Sequence, residues 1–187
     1  HTRSACHTRE GAWGAHFLAD VYELEEAYAK AEPFARHALE TAQRLLGPRE
    51  VLTARAARLL GHLLLKLERG TEALPLLRKA LCDVEAACGP DDPDVLYALV
   101  DLGILLTDAG WWEEVAPHLR RGVKLLRKWT PSAPGLLAGM EARLGCAYEH
   151  LGNRADARWH YQTALPGLES DPQLRKARAL ALAGRGR

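Results

Sequence analysis

The sequence predicts an all-α fold in which paired helices stack in single file. Three observations carry this. Leu and Ala dominate the 48% of hydrophobic residues, aromatics make up only 6%, and Val and Ile are sparse. Leu and Ala favour helices, and a shortage of β-branched residues leaves few strand candidates. Small residues recur at a fixed step: "LLG" ends at Gly61, "DLG" at Gly103 and "RLG" at Gly145, each 42 residues after the last. Within a period the apolar residues follow one helical face, as in Leu96, Leu99, Val100, Gly103 and Leu106. Self-similarity at this period is the signature of a stacked-repeat architecture.

The elements follow in order. Residues 1–10 lack an initiator Met and the apolar core of a signal peptide, and are expected to be disordered or non-native. One domain is expected over 11–183, built of four two-helix units at about 12–47, 50–89, 92–130 and 134–166. Ala19, Ala31 and Leu39 mark the first unit; Gly61, Ala73 and Leu81 the second; Gly103, Val115 and Val123 the third; Gly145, Ala157 and Leu165 the fourth. Gly103 and Val115 are expected where two helices cross closely, since a large side chain there would hold the backbones apart. Asp108-Ala109-Gly110 breaks the third unit into its two helices. Pro33, Pro75 and Pro117 recur at the same step and are expected near the first turn of each second helix, where a missing amide costs least; an earlier helix start would lose a bond. Pro166 is expected to interrupt the last repeat. A polar-faced cap helix then covers the stack at 172–183, with Asp171 as its N-cap and Leu174, Ala177, Leu180 and Ala181 as its apolar stripe. Residues 184–187 fray.

Little in the chain points to chemistry. The stretch "GPDDPDV" (Gly89–Val95) is acidic, yet it reads as a corner. Gly89 ends a helix in a left-handed conformation, Asp92 caps the next, Pro93 takes its first position and Asp94 favours its positive end. A calcium loop would need a longer alternation of oxygen ligands and a distal Glu. No G-x-S-x-G surrounds Ser4, Ser132 or Ser170, no H-E-x-x-H occurs among the eight histidines, and no glycine-rich phosphate loop follows a strand. Cys146 and His150 share a helical face but make only two ligands, where zinc needs three or four. No catalytic, cofactor or metal site is therefore expected. Cys6, Cys82, Cys88 and Cys146 read as free thiols of a cytoplasmic protein. With 25 basic against 24 acidic residues, no global field attracts nucleic acid or an anionic membrane.

The small-residue lattice resembles the tetratricopeptide repeat. The fourth unit, "LGCAYEHLGNRADARWHYQTAL", carries Leu144-Gly145, Tyr148, Gly152, Ala157, Tyr161 and Ala164-Leu165 at that family's spacing, and the likeness runs over roughly 12–165. The 42-residue period, with "AEPFARHAL", "ALPLLRKAL" and "LGPREV", is similar to the kinesin-light-chain-like branch. This resemblance implies a right-handed superhelix whose first helices line a concave face. The residues then expected on that face are His16, Asp20, Glu23 and Leu24; Arg58, His62, Leu65 and Lys66; Val100, Ile104, Thr107 and Asp108; and Ala142, Cys146, Glu149 and His150. Charge along it should run from acidic through basic and apolar to mixed.

Family members that grip a C-terminal carboxylate do so with Lys, Arg and Asn on successive first helices. Here Arg58 and Arg143 fill two such slots, but His62, Asp101 and Gly139 fill the rest, and Asp101 would repel a carboxylate. The only asparagine, Asn153, falls in a turn, so the asparagine ladder of kinesin light chains is absent too. The expected function is a non-catalytic scaffold that binds a peptide or helix of a protein partner in the groove. The alternatives are a structural or self-associating unit, or a regulatory repeat segment of a larger multidomain signalling protein or enzyme. Trp112 is expected as an aromatic plug between helices, and Trp111 as an exposed neighbour.

Overall fold

The computed structural model describes residues 9–129 and 134–168, and the expected cap helix at 172–183, the tail after it and residues 1–8 lie outside the described residues. Eight helices occur among the described residues and no strand. They are α1 (Arg9–Leu24), α2 (Tyr28–Leu45), α3 (Val51–Lys66), α4 (Gly70–Cys88), α5 (Pro93–Asp108), α6 (Trp112–Trp129), α7 (Pro134–His150) and α8 (Arg154–Leu168). The chain is therefore all-helical, and α1 begins at Arg9, inside the segment expected to be disordered. The sequence reading treats 11–183 as one domain; by contact the chain divides into two compact units, His1–Asp101 and Leu102–Arg187, with the boundary inside α5. In the first unit α1 packs on α2, α2 on α3, α3 on α4, and α1 touches α3; in the second α6 packs on α7 and α7 on α8.

Each helix pair is joined by the same turn. Residues 26, 68, 110 and 152 stand one period apart, and all four have positive φ: Glu26 56°, Glu68 60°, Gly110 75° and Gly152 81°. The amide of the next residue reaches back over the turn, from Ala27 to the Tyr22 carbonyl (2.8 Å), Arg69 to Leu64 (2.8 Å), Trp111 to Leu106 (3.0 Å) and Asn153 to Tyr148 (2.9 Å). This is the Schellman arrangement, which satisfies carbonyls left over at a helix end. Two repeats place Glu where the left-handed backbone favours Gly.

The turn sets where each second helix starts, and this decides between the two positions open to the prolines. The amides of Ala31, Ala73 and Val115 bond to the carbonyls of Ala27, Arg69 and Trp111, so the helices begin at Tyr28, Gly70 and Trp112. Pro33, Pro75 and Pro117 therefore lie inside the helices, at the sixth position rather than in the first turn. Each leaves a carbonyl four residues earlier without its helical amide. Those earlier residues, Ala29, Thr71 and Glu113, are exposed, as are the three prolines, so water can take the place of the missing donor.

The small-residue lattice is the packing device. A Cβ added to Gly61 would stand 2.7 Å from Cδ2 of Leu77, one added to Gly103 2.7 Å from Cδ2 of Leu119, and one added to Gly145 2.8 Å from Cδ1 of Tyr161. The partner is sixteen residues on each time, so the three glycines occupy equivalent places. In the first repeat the same two slots hold Ala19 and Ala35, both fully buried. Volume removed on one helix matches volume added on the other, as dense packing requires.

Pro166 does not end the last repeat. Helix α8 runs through it to Leu168. Leu168 is buried in a cluster with Ala138, Ala142, Cys146, Ala157, Tyr161, Ala164 and Leu165, and Gly167 lies so close to α7 that an added Cβ would meet Ala138 Cβ at 2.7 Å. This packing holds the final turn in place despite the lost amide. At the acidic corner, the Asp94 amide donates to Asp92 Oδ1 (2.8 Å) and Pro93 opens α5. Gly89 has φ +90° with ψ 164°, so it is the extended mirror region rather than the left-handed helical one, and equally reserved for glycine.

Candidate functional site

In the first unit α1, α3 and the part of α5 up to Asp101 are joined by polar contacts, Glu23, His62, Asp101 and Arg58 in one chain and Arg55–Asp94 beside it. Asp101 is buried and receives two partners from α3: the Arg58 guanidinium at 3.2 Å and His62 Nδ1 at 2.7 Å. The other ring nitrogen of His62 lies 3.2 Å from Glu23 of α1. Arg55 pairs with Asp94 at 2.6 Å. Removing a carboxylate from water is costly unless it is paired and hydrogen-bonded, and Asp101 has both compensations. The acid that would repel a carboxylate ligand thus also occupies Arg58, the cation that would attract one.

Around this network the surface is aromatic. Trp13, Arg55 and Tyr97 are one period apart on α1, α3 and α5, and they are 46%, 44% and 45% exposed. Tyr97 lies under the Arg58 guanidinium at 5.5 Å, and the Trp13 ring meets His16 edge-on. His16 stands 3.7 Å from Asp20. Burial holds His16 below its usual pKa, Asp20 acts against that, and Arg58 and Arg55 reinforce it. Its Nδ1 is buried with no hydrogen-bond partner among the described residues.

Of the residues expected on the concave face, the first unit brings together His16, Asp20, Glu23, Arg58 and His62. Lys66 is exposed and lies over the Tyr28 ring at 6.0 Å. Val100 is buried and presents no side chain to a surface. In the second unit Ile104 is half-buried, and Asp108 accepts from Arg143 at 3.4 Å. Cys146 is buried in the α7–α8 cluster rather than on a face, because the small residues Ala142 and Ala157 leave room for it there; burial pushes its thiol pKa up. Glu149 accepts from the Tyr161 hydroxyl at 2.9 Å. His150 stacks on Trp112, ring centroids 4.1 Å apart, instead of joining Cys146 in a ligand pair. Trp112 is partly buried against the cluster and Trp111 is exposed. Asn153 caps α8, accepting from the Asp156 amide at 3.3 Å.

Sequence reasoning missed Glu141. It is wholly buried in α7 and bonded to Arg127 at 2.7 Å and His160 at 2.5 Å. The equivalent slots hold Ala15, Ala57 and Leu99, so a charged residue in an otherwise apolar series was the available signal. Among the described residues no group of three His, Cys, Asp or Glu side chains is placed to hold a metal, and no helix is long and apolar enough to cross a membrane.

The chain matches a family model described as tetratricopeptide repeat over residues 12–81 and 57–128. No curated protein matches the sequence. Among solved structures it is similar to BtubC (BKLC) from P. vanneervenii, with TM-score 0.67 and 17% identity, over 94% of this chain and 65% of that one. It therefore spans less than two thirds of BtubC. It is similar to YrrB, a TPR protein with an unusual peptide-binding site, at TM-score 0.63 and 22% identity, over 94% of this chain and 75% of that one. A kinesin-light-chain candidate of Podosopora anserina with nearly identical TPR-like repeats gives TM-score 0.68 and 14% identity, over 92% of both chains.

Proposed function

The chain belongs to the tetratricopeptide repeat family, and from that premise we propose that it is a non-catalytic scaffold binding a peptide or helix of a protein partner. The binding surface is the first-helix face of α1, α3 and α5. The observation that carries this is the row Trp13, Arg55, Tyr97, which puts two half-exposed rings on either side of an anchored guanidinium. Tyr, Trp and Arg are the residues that dominate binding energy at protein interfaces. The network beneath holds their backbones in register and leaves Arg58 and His62 engaged with Asp101, which disfavours a terminal carboxylate as the ligand. A neutral segment with apolar anchors fits best, with affinity on the order of micromolar. The peptide-binding site named for YrrB supports a peptide as the class of ligand.

The test is affinity capture of partners with the full chain, followed by calorimetry on the binding segment with a Trp13→Ala/Tyr97→Ala variant. The double variant should lose about tenfold or more in affinity while its circular dichroism stays unchanged. Equal binding by the folded variant would exclude this face.

Self-association is a second reading. It is favoured by Trp13, Phe17 and Leu24, exposed together along α1. Light scattering over a concentration series separates it from the first: a constant monomer mass removes it.

A further inference from the structure

The last repeat ends in a helix seat, and the 42-residue step says what fills such a seat. In the first repeat, Glu23, Tyr28 and Glu32 are met by the next repeat. His62 approaches Glu23 at 3.2 Å, Lys66 lies over the Tyr28 ring at 6.0 Å, and Arg69 bonds Glu32 at 2.8 Å. In the third repeat the same relation recurs, with His150 stacked on Trp112 at 4.1 Å. The fourth repeat's copies of those first-repeat slots are Glu149, Arg154 and Arg158. They line a cavity of about 520 Å³ at the α7–α8 turn, floored by the buried Ala157 and Tyr161. Arg154 and Arg158 are exposed and make no ion pair among the described residues.

The charge in the seat is reversed. Where the first repeat offers an aromatic ring and Glu32 to the basic Lys66 and Arg69, the fourth offers two arginines. We propose that this seat takes an acidic amphipathic helix from a partner protein. The helix carries Asp or Glu at the two positions, three residues apart, that correspond to Lys66 and Arg69. This surface is separate from the aromatic row on α1, α3 and α5. Residues 172–183 carry Arg175, Lys176 and Arg178 and no acid, so they do not supply the acidic pair that the two arginines select.

The test uses the full chain and two labelled peptides of the Val51–Arg69 sequence, the segment that fills the seat in the first repeat. One peptide is unaltered and the other carries Lys66→Glu and Arg69→Glu. Fluorescence anisotropy at low salt should show the acidic peptide binding about tenfold more tightly than the unaltered one. An Arg154→Glu/Arg158→Glu chain should reverse that order. Equal affinities, an order that the double variant leaves unchanged, or no binding of the acidic peptide would each overturn the proposal. In the last case the seat belongs to the chain's own C-terminal residues or to a second copy. Circular dichroism on the variant confirms that it is folded, and both arginines are exposed on the first two turns of α8, where substitution leaves the core intact.

Discussion

Gly145→Ala and Gly14→Ala are the same chemical change and should move stability in opposite directions. At position 145 the new methyl would lie 2.8 Å and 2.9 Å from two ring carbons of Tyr161, and 3.1 Å from the Ala157 carbonyl oxygen. Tyr161 cannot retreat easily: it is buried in the α7–α8 cluster and its hydroxyl is held by Glu149 at 2.9 Å. Overpacking of one methyl costs about 1–3 kcal/mol, offset by about 1 kcal/mol from the better helix propensity of Ala. The net loss is therefore up to about 2 kcal/mol, toward the upper end because the Tyr161 ring is held in place. At position 14, in α1, nothing stands within 4 Å of the new methyl, so only the propensity gain of about 0.5–1 kcal/mol remains. For a chain of this size 1 kcal/mol shifts Tm by roughly 2–4 °C. Thermal scans by circular dichroism should show Gly145→Ala melting lower than the parent and Gly14→Ala higher. If Gly145→Ala melts at or above the parent temperature, the close crossing is not there.

Three further outcomes follow from the same geometry. Glu68→Gly should raise stability by about 1 kcal/mol, because Glu68 holds a left-handed backbone at φ 60°, while Gly110→Ala should lower it by a similar amount at φ 75°; chemical denaturation compares the two. Asp101→Ala strips Arg58 and His62 of their shared carboxylate and should cost about 3 kcal/mol, read as a fall in the urea midpoint. Stability should also decline as pH drops below about 6.5. The unfolded chain takes up a proton there that buried His16, held below its usual pKa, refuses. The contribution is complete above that pH and is lost on acidification, so a His16→Gln variant should lose less stability than the parent between pH 7.5 and 5.5.

The period made most of the fold legible. Gly61, Gly103 and Gly145 announced the helix crossings because one step of 42 maps each onto the next, and their contacts with Leu77, Leu119 and Tyr161 repeat accordingly. The turns were half visible. Gly110 and Gly152 signal a left-handed residue, but Glu26 and Glu68 in the same slots carry no such signal, and the helix starts that these turns fix decide where the prolines fall. Pro166 misled because local propensity says stop, whereas Gly167 and Leu168 pack against α7 and continue the helix.

The candidate site was less legible. Its ion pairs join neighbouring repeats: Arg55–Asp94 and His62–Asp101 are each 39 residues apart, which is one period less one short helical step. Reading slots one repeat at a time placed Arg58 and Asp101 on a surface as rivals for a ligand. Only the pairing across helices shows that they neutralise each other. Val100 and Cys146 were assigned by slot alone, and both are buried, Cys146 among Ala138, Ala142 and Ala157.

Nuclear Overhauser contacts across the helix crossings test the central claim most directly, namely that residues 42 apart occupy equivalent places in stacked helix pairs. The account predicts strong cross-peaks from the α-protons of Gly61 and Gly103 to the methyls of Leu77 and Leu119, and from those of Gly145 to the Tyr161 ring. Absence of any one of the three, with both resonances assigned, would contradict it.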